Sequence, residues 1–159
     1  MADTQAPTSP LFLAPNEGER INVVGDDVRV LADSSTTGGR CFIFELRTPA
    51  GSGPPLHTHG IDDEFFFVIE GHYRFLRDGT AIDAGPGAFF VAPKGSQHTF
   101  VNVGATTGRL LIITTPGGLE VPFRKTHEAS KAGQPTPESL AAIFAPFQLT
   151  IDGPPLGRV

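Results

Sequence analysis

The chain has 159 residues, 39% apolar and 18% charged, with a net charge of -5, a composition that excludes a disordered or fibrous protein. The acidic balance argues against a nucleic-acid or anionic-membrane surface, since both need clustered Lys and Arg, and leaves a small neutral or cationic partner. No apolar run reaches the roughly 18 residues of a membrane span, so the expectation is a soluble cytoplasmic protein of one domain.

Residues 1–18 read as an extended or frayed N-terminal segment. The 19 glycines and 15 prolines are spread through the whole chain, and from 19 to 117 they punctuate short apolar runs, the pattern of an all-β sandwich or barrel. The predicted strands in order are "INVVG", "DVRVLAD", "GRCFIFELRT", "EFFFVIEG", "HYRFLRDG", "TAIDA", "AFFVAP", "HTFVNVG" and "RLLIITTPG". Asp78-Gly79 marks a hairpin between two of them. Cys41 is the single cysteine, which excludes an internal disulfide, and its apolar run predicts a buried side chain. Residues 118–159 form a predicted helical tail, built on "GLEVPFRKTHEASKAG" and "TPESLAAIFAPF". The second segment opens with Thr136 as N-cap and Pro137 in the first turn, and Leu140, Ile143 and Phe144 recur at helical spacing, which lays it across the β-domain.

Chemistry concentrates in "PPLHTHGIDDEFFFVIEG". Residues two apart in a strand share a face, so His57 and His59 aim at one place. Glu64 has the wrong parity for that strand, but a turn at residues 60–63 would bring it back on a returning strand, in a hairpin that joins two imidazoles to a carboxylate. A second stretch, "GPGAFFVAPKGSQHTFVNVG", carries His98. His72 and His127 read as surface or satisfied histidines, and Arg40, Arg74 and Gln97 as exposed strand residues with a possible orienting role.

Together the two stretches resemble the paired motifs of the cupin family. Gly51, His57, His59, Glu64 and Gly71 fit the first motif, with four residues between His59 and Glu64, and Gly87, Pro93, Gly95, His98 and Asn102 fit the second. The resemblance implies a jelly-roll β-barrel in which His57, His59, Glu64 and His98 hold one divalent transition metal ion, with Fe, Mn, Ni, Co, Cu and Zn all open. The single barrel, the complete ligand set and the tail look most like the bacterial quercetin-dioxygenase-like group. That implies a dioxygenase acting on a small apolar, aromatic or enolic substrate, with dioxygen as co-substrate and Glu64 as the catalytic base. An oxygen-independent isomerase, cyclase or lyase is the alternative, and a binding protein without catalysis a third reading.

Strand parity carried outward from the ligands predicts a pocket wall of Phe66, Val68 and Phe100, with Phe44 and Phe75 from neighbouring strands. The opposite parity, Phe65, Phe67 and Ile69, is also apolar and requires a cover, either the helical tail or a second subunit. The resemblance favours a homodimer.

Overall fold

The structure, a computed structural model, describes residues 10–157. Two antiparallel sheets face one another. The first runs in the order β1 (Arg20–Val23), β2 (Asp26–Ala32), β3 (Phe42–Thr48), β10 (Gly108–Thr115), β5 (Asp63–Glu70), β8 (Phe89–Ala92). The second runs β11 (Leu149–Pro155), β4 (Pro55–His59), β9 (Gln97–Asn102), β6 (Tyr73–Arg77), β7 (Thr80–Ala84). The fold is an all-β jelly roll, a double-stranded β-helix, with helices α1 (Ser34–Thr37), α2 (Glu120–Ser130) and α3 (Pro137–Phe144).

Each sheet turns one row of apolar side chains inward. On β5, Glu64, Phe66 and Val68 are buried, while Phe67 between them is 41% exposed. Half of the interior is an aromatic plug, in which Phe75 stacks on Phe90 at 4.6 Å between ring centroids and Phe66 meets Phe75, Phe90 and Phe100 edge-on or tilted. Each buried phenyl group contributes roughly 1.5–3 kcal/mol from removal of apolar area, and each favourable ring pair about 0.5–1.5 kcal/mol more.

The Asp78-Gly79 hairpin forms as predicted: β6 pairs with β7 across two residues with φ of 46° and 80°. The turn at residues 60–63 does something different from the hairpin expected there. β4 pairs with β9 and β11, whereas β5 pairs with β8 and β10, so the turn carries the chain from one sheet to the other. Glu64 therefore faces the histidines from across the interior.

The tail is helical only as far as a 3-10 turn at Ala145–Phe147, after which the chain returns as β11 and pairs along β4, with Leu149 opposite His59 and Ile151 opposite His57. Thr136 caps α3 by accepting from the Ser139 backbone N–H, as the sequence indicates. Helix α2 packs on β1 and α3 on β11, so the tail closes an end of the barrel and leaves the outer face of β5 uncovered. Phe65 and Ile69 on that face are half-buried and Phe89 beside them is 63% exposed. Cys41 lies just before β3 and is half-buried rather than buried. Residues 1–9 of the predicted N-terminal segment fall outside the described residues.

Candidate metal centre

His57 on β4 stands directly opposite His98 on β9, and His59 follows two residues along on the same face. Gly53, just ahead of β4, makes this pairing possible. A Cβ there would lie 1.8 Å from the Phe100 carbonyl oxygen, so only glycine lets the chain run so close to β9. Glu64 reaches over from β5, with its Oε2 3.1 Å from His59 Nε2 and 3.0 Å from His98 Nε2. One ligand atom from each of the four residues lies within 4.8 Å of the other three.

The other ring nitrogens are all engaged. His57 Nδ1 lies 2.7 Å from the Pro55 carbonyl, His98 Nδ1 3.2 Å from the Ser96 carbonyl, and His59 Nδ1 3.3 Å from Asp62 Oδ2. An imidazole whose Nδ1–H donates to a fixed oxygen presents its Nε2 lone pair, which is how metal-binding histidines are oriented. Anchored this way, His59 and His98 direct their Nε2 atoms at Glu64, and His57 joins them in the cluster.

Electrostatics push His57, His59 and Glu64 apart. Burial, with the charges of His98 and His59 behind it, drives His57 down to about 3. Burial opposes a charged His59 too, but the Glu64 carboxylate and the Asp62 hydrogen bond outweigh it and hold His59 at about 9. Burial likewise opposes an ionised Glu64, yet His59 and His98 together keep its carboxyl well below the usual carboxylate range. The cluster therefore combines an ionised carboxylate with one imidazole that stays neutral. His59 Nε2 is buried and, although near Glu64, is out of line for a hydrogen bond. An atom left in that state is explained by a ligand it is meant to meet. Three imidazoles and a carboxylate, anchored from behind and converging, are compatible with one metal ion, and they suit the transition metals better than Ca or Mg.

The cluster lies on the wall of a cavity of about 110 Å³, partly open to solvent. Phe44 and Phe100 line it, whereas Phe66, Val68 and Phe75 do not. These three are buried in the packed core, where Phe66 lies behind His98 at 6.0 Å between ring centroids. Parity puts all five side chains inside the barrel, but packing across the two sheets fills one half of it. The tail contributes a wall that strand parity does not reveal: Phe123 on α2, Leu140 and Phe144 on α3, and Leu149 and Ile151 on β11. Helical spacing lays Leu140 and Phe144 across the β-domain, and the structure puts both on the cavity wall. Arg40, Arg74 and Gln97 are absent from the wall, and Arg74 instead pairs outside with Asp83 at 2.7 Å. His72 is exposed, and His127 Nδ1 accepts from the Asn22 backbone N–H at 3.0 Å.

Residues 44–114 match the family model of the cupin domain. Among solved structures the chain is similar to KdgF from a Halomonas species, at 19% identity and a TM-score of 0.62, over 69% of this chain and 98% of that one. It is similar to an RmlC-like cupin from Shewanella frigidimarina, at 19% identity and a TM-score of 0.61, over 70% and 96% of the two chains. The polyketide cyclase RemF from Streptomyces resistomycificus matches at 21% identity and a TM-score of 0.59, over 67% and 80%. No curated protein sequence matches. These likenesses establish the fold.

Proposed function

We propose, from the premise that this chain carries the cupin fold with all four ligand positions filled, that it is a metal-dependent enzyme acting on a small molecule. The first reaction in this proposal is quercetinase-like, the oxygen-dependent cleavage of an aromatic or enolic substrate. The observation that carries it is the convergence of three imidazoles and one carboxylate on the wall of an apolar cavity. In this reading His57, His59, Glu64 and His98 hold one divalent transition metal ion. Such an ion supplies Lewis acidity and, where redox-active, chemistry with dioxygen.

The chain's own residues do the rest. Glu64 Oε2 is engaged by two imidazoles, and Oε1 accepts the proton of a substrate hydroxyl. Phe44 and Phe100 press on the ring, while the side chains of α2 and α3 keep water from it. Turnover of a flavonol such as quercetin, followed with an oxygen electrode in air and by product analysis under argon, tests this reaction. Oxygen uptake matched to product, with none formed under argon, is the expected result.

The likeness to a polyketide cyclase favours a second reading, metal-assisted cyclisation, isomerisation or elimination without oxygen. Product formed equally well under argon would select it. If neither reaction occurs and His98→Ala leaves ligand binding and stability intact, the protein is a binding cupin. A homodimer closed over the outer face of β5 and β8, and a cytoplasmic location, complete the proposal. The exposed Phe67 and Phe89 support the first of these.

A further inference from the structure

Among the residues that line the cavity, Asp26 is the polar side chain that does not belong to the metal cluster. The others outside that cluster are Val, Leu, Ile, Phe, Pro or Gly. Asp26 opens β2 on the inward parity shared by the buried Val28 and Val30, where the alternation of the strand calls for an apolar residue. Its carboxylate differs from the other acidic groups near it. Asp27 pairs with Arg20, Asp33 with Arg124 and Glu45 with Arg109, whereas no described residue forms an ion pair or side-chain hydrogen bond with Asp26. Burial pushes its carboxyl up to about 7.

The backbone that presents Asp26 is itself costly. The β1–β2 hairpin turns at Val24-Gly25, and Val24 has φ of 54°, a conformation that β-branched residues adopt only under strain. Two braces hold the turn: Asn22 Oδ1 accepts from the Gly25 backbone N–H at 3.1 Å, and the Asn22 backbone N–H donates to His127 Nδ1 on α2 at 3.0 Å. Val23 and Val24 join Asp26 in the cavity wall. A strained, braced hairpin that places an unpartnered carboxyl group in an apolar cavity gains nothing for the fold. Such features mark positions retained for a ligand.

We infer that Asp26 is the polar anchor of the cavity, the group that receives the hydroxyl of a hydroxylated and otherwise apolar ring compound, and so selects it over the plain hydrocarbon. This rests on the proposed small-molecule site but not on the metal. A cavity of about 110 Å³ takes one ring of a ligand, whose remainder extends through the open side, on the scale of the dry cavity of about 150 Å³ that takes benzene. The carboxyl group would accept from the ring hydroxyl when ionised, and when protonated would donate to it.

Phenol and toluene, which have the same number of heavy atoms, are the probes, titrated by NMR into the full-length metal-free chain. The expected result is that wild type prefers phenol to toluene, and that Asp26→Leu lowers the ratio of the two affinities roughly tenfold or more with toluene bound as well or better. Asp26→Asn, which keeps a polar group, retains part of the preference. Both variants are expected to melt at or above the wild-type temperature, because the carboxyl has no partner to lose. An unchanged phenol-to-toluene ratio in Asp26→Leu would overturn the inference. So would failure of wild type to bind either probe, or a lowered melting temperature in both variants. Because no metal is present, loss of the dioxygenase reading would leave these outcomes intact.

Discussion

Asp62 shows how much of the site depends on a residue that is not one of the four converging groups. It is 5% exposed, and its Oδ2 lies 3.3 Å from His59 Nδ1, where it holds the orientation of that ring. His57 and His98 take the same restraint from backbone carbonyls, which no substitution of a neighbouring side chain removes. Asp62→Ala should therefore weaken metal binding about 10–100-fold by freeing one imidazole of three, a loss measurable by competition against a chromogenic chelator. Unchanged affinity would show that the pairing does not orient His59. The histidines and Glu64 were readable in the sequence because their spacing encodes both strand parity and a turn. Asp62 was visible only as part of "GIDDE", where nothing separates it from Asp63. Asp26 was hidden for another reason: it sits next to a turn, and an acidic residue there reads as part of the loop.

At the scale of the element, the short helix α1 joins three distant parts of the chain. Asp33 caps it, accepting from the Ser35 and Thr36 backbone N–H groups while Thr36 Oγ1 accepts from the Asp33 N–H, a reciprocal capping box. The same carboxylate pairs at 2.7 Å with Arg124 on α2, which also reaches Glu19 just before β1. Burial works against the charge on Asp33, but the bonds from Ser35, Arg124 and Thr36 prevail and hold its carboxyl at about 2. A lowered carboxylate pKa stabilises the fold above the unfolded value near 4, and this is lost as pH falls through about 2. Asp33→Ala should cost about 1–3 kcal/mol at neutral pH and less as the pH falls from 4 to 2, measured by urea unfolding at each pH. A cost that does not change across that window would mean that the charge is not what Asp33 contributes.

The elements themselves were legible where period and punctuation agreed, as in β5, the β6–β7 hairpin and α3. β11 was not, because "IDGPP" carries the residues of a loop. It is the edge strand of its sheet, the position where proline and glycine are tolerated because one side of the strand needs no partner. The distinction between plug and cavity was equally out of reach. Inward parity is a property of one strand, whereas the space left between Phe44 and Phe144 depends on both sheets and two helices.

At the scale of the whole molecule, the outer face of the first sheet is left without cover by the described residues. Register sets Phe67 opposite Phe89 and Leu111, and Phe65 opposite Val91 and Ile113, so the apolar side chains form one continuous patch. Beside it Arg109 pairs with Glu45 at 3.1 Å and approaches Glu70 at 3.6 Å, a polar rim of the kind that borders interfaces. If a second copy covers the patch, light scattering at micromolar concentration should give about twice the chain mass of 16.8 kDa, and Phe89→Lys should halve it without unfolding the protein. A monomer mass for wild type would remove the dimer.

Whether His57, His59, Glu64 and His98 hold one metal ion is decided by metal analysis of protein purified without chelator, with His57→Ala in parallel. The expected result is about one equivalent of a transition metal per chain in wild type and little or none in the variant, both proteins remaining folded. Wild-type protein that is free of metal and takes none up when Fe, Mn, Ni, Co, Cu or Zn is offered would contradict it.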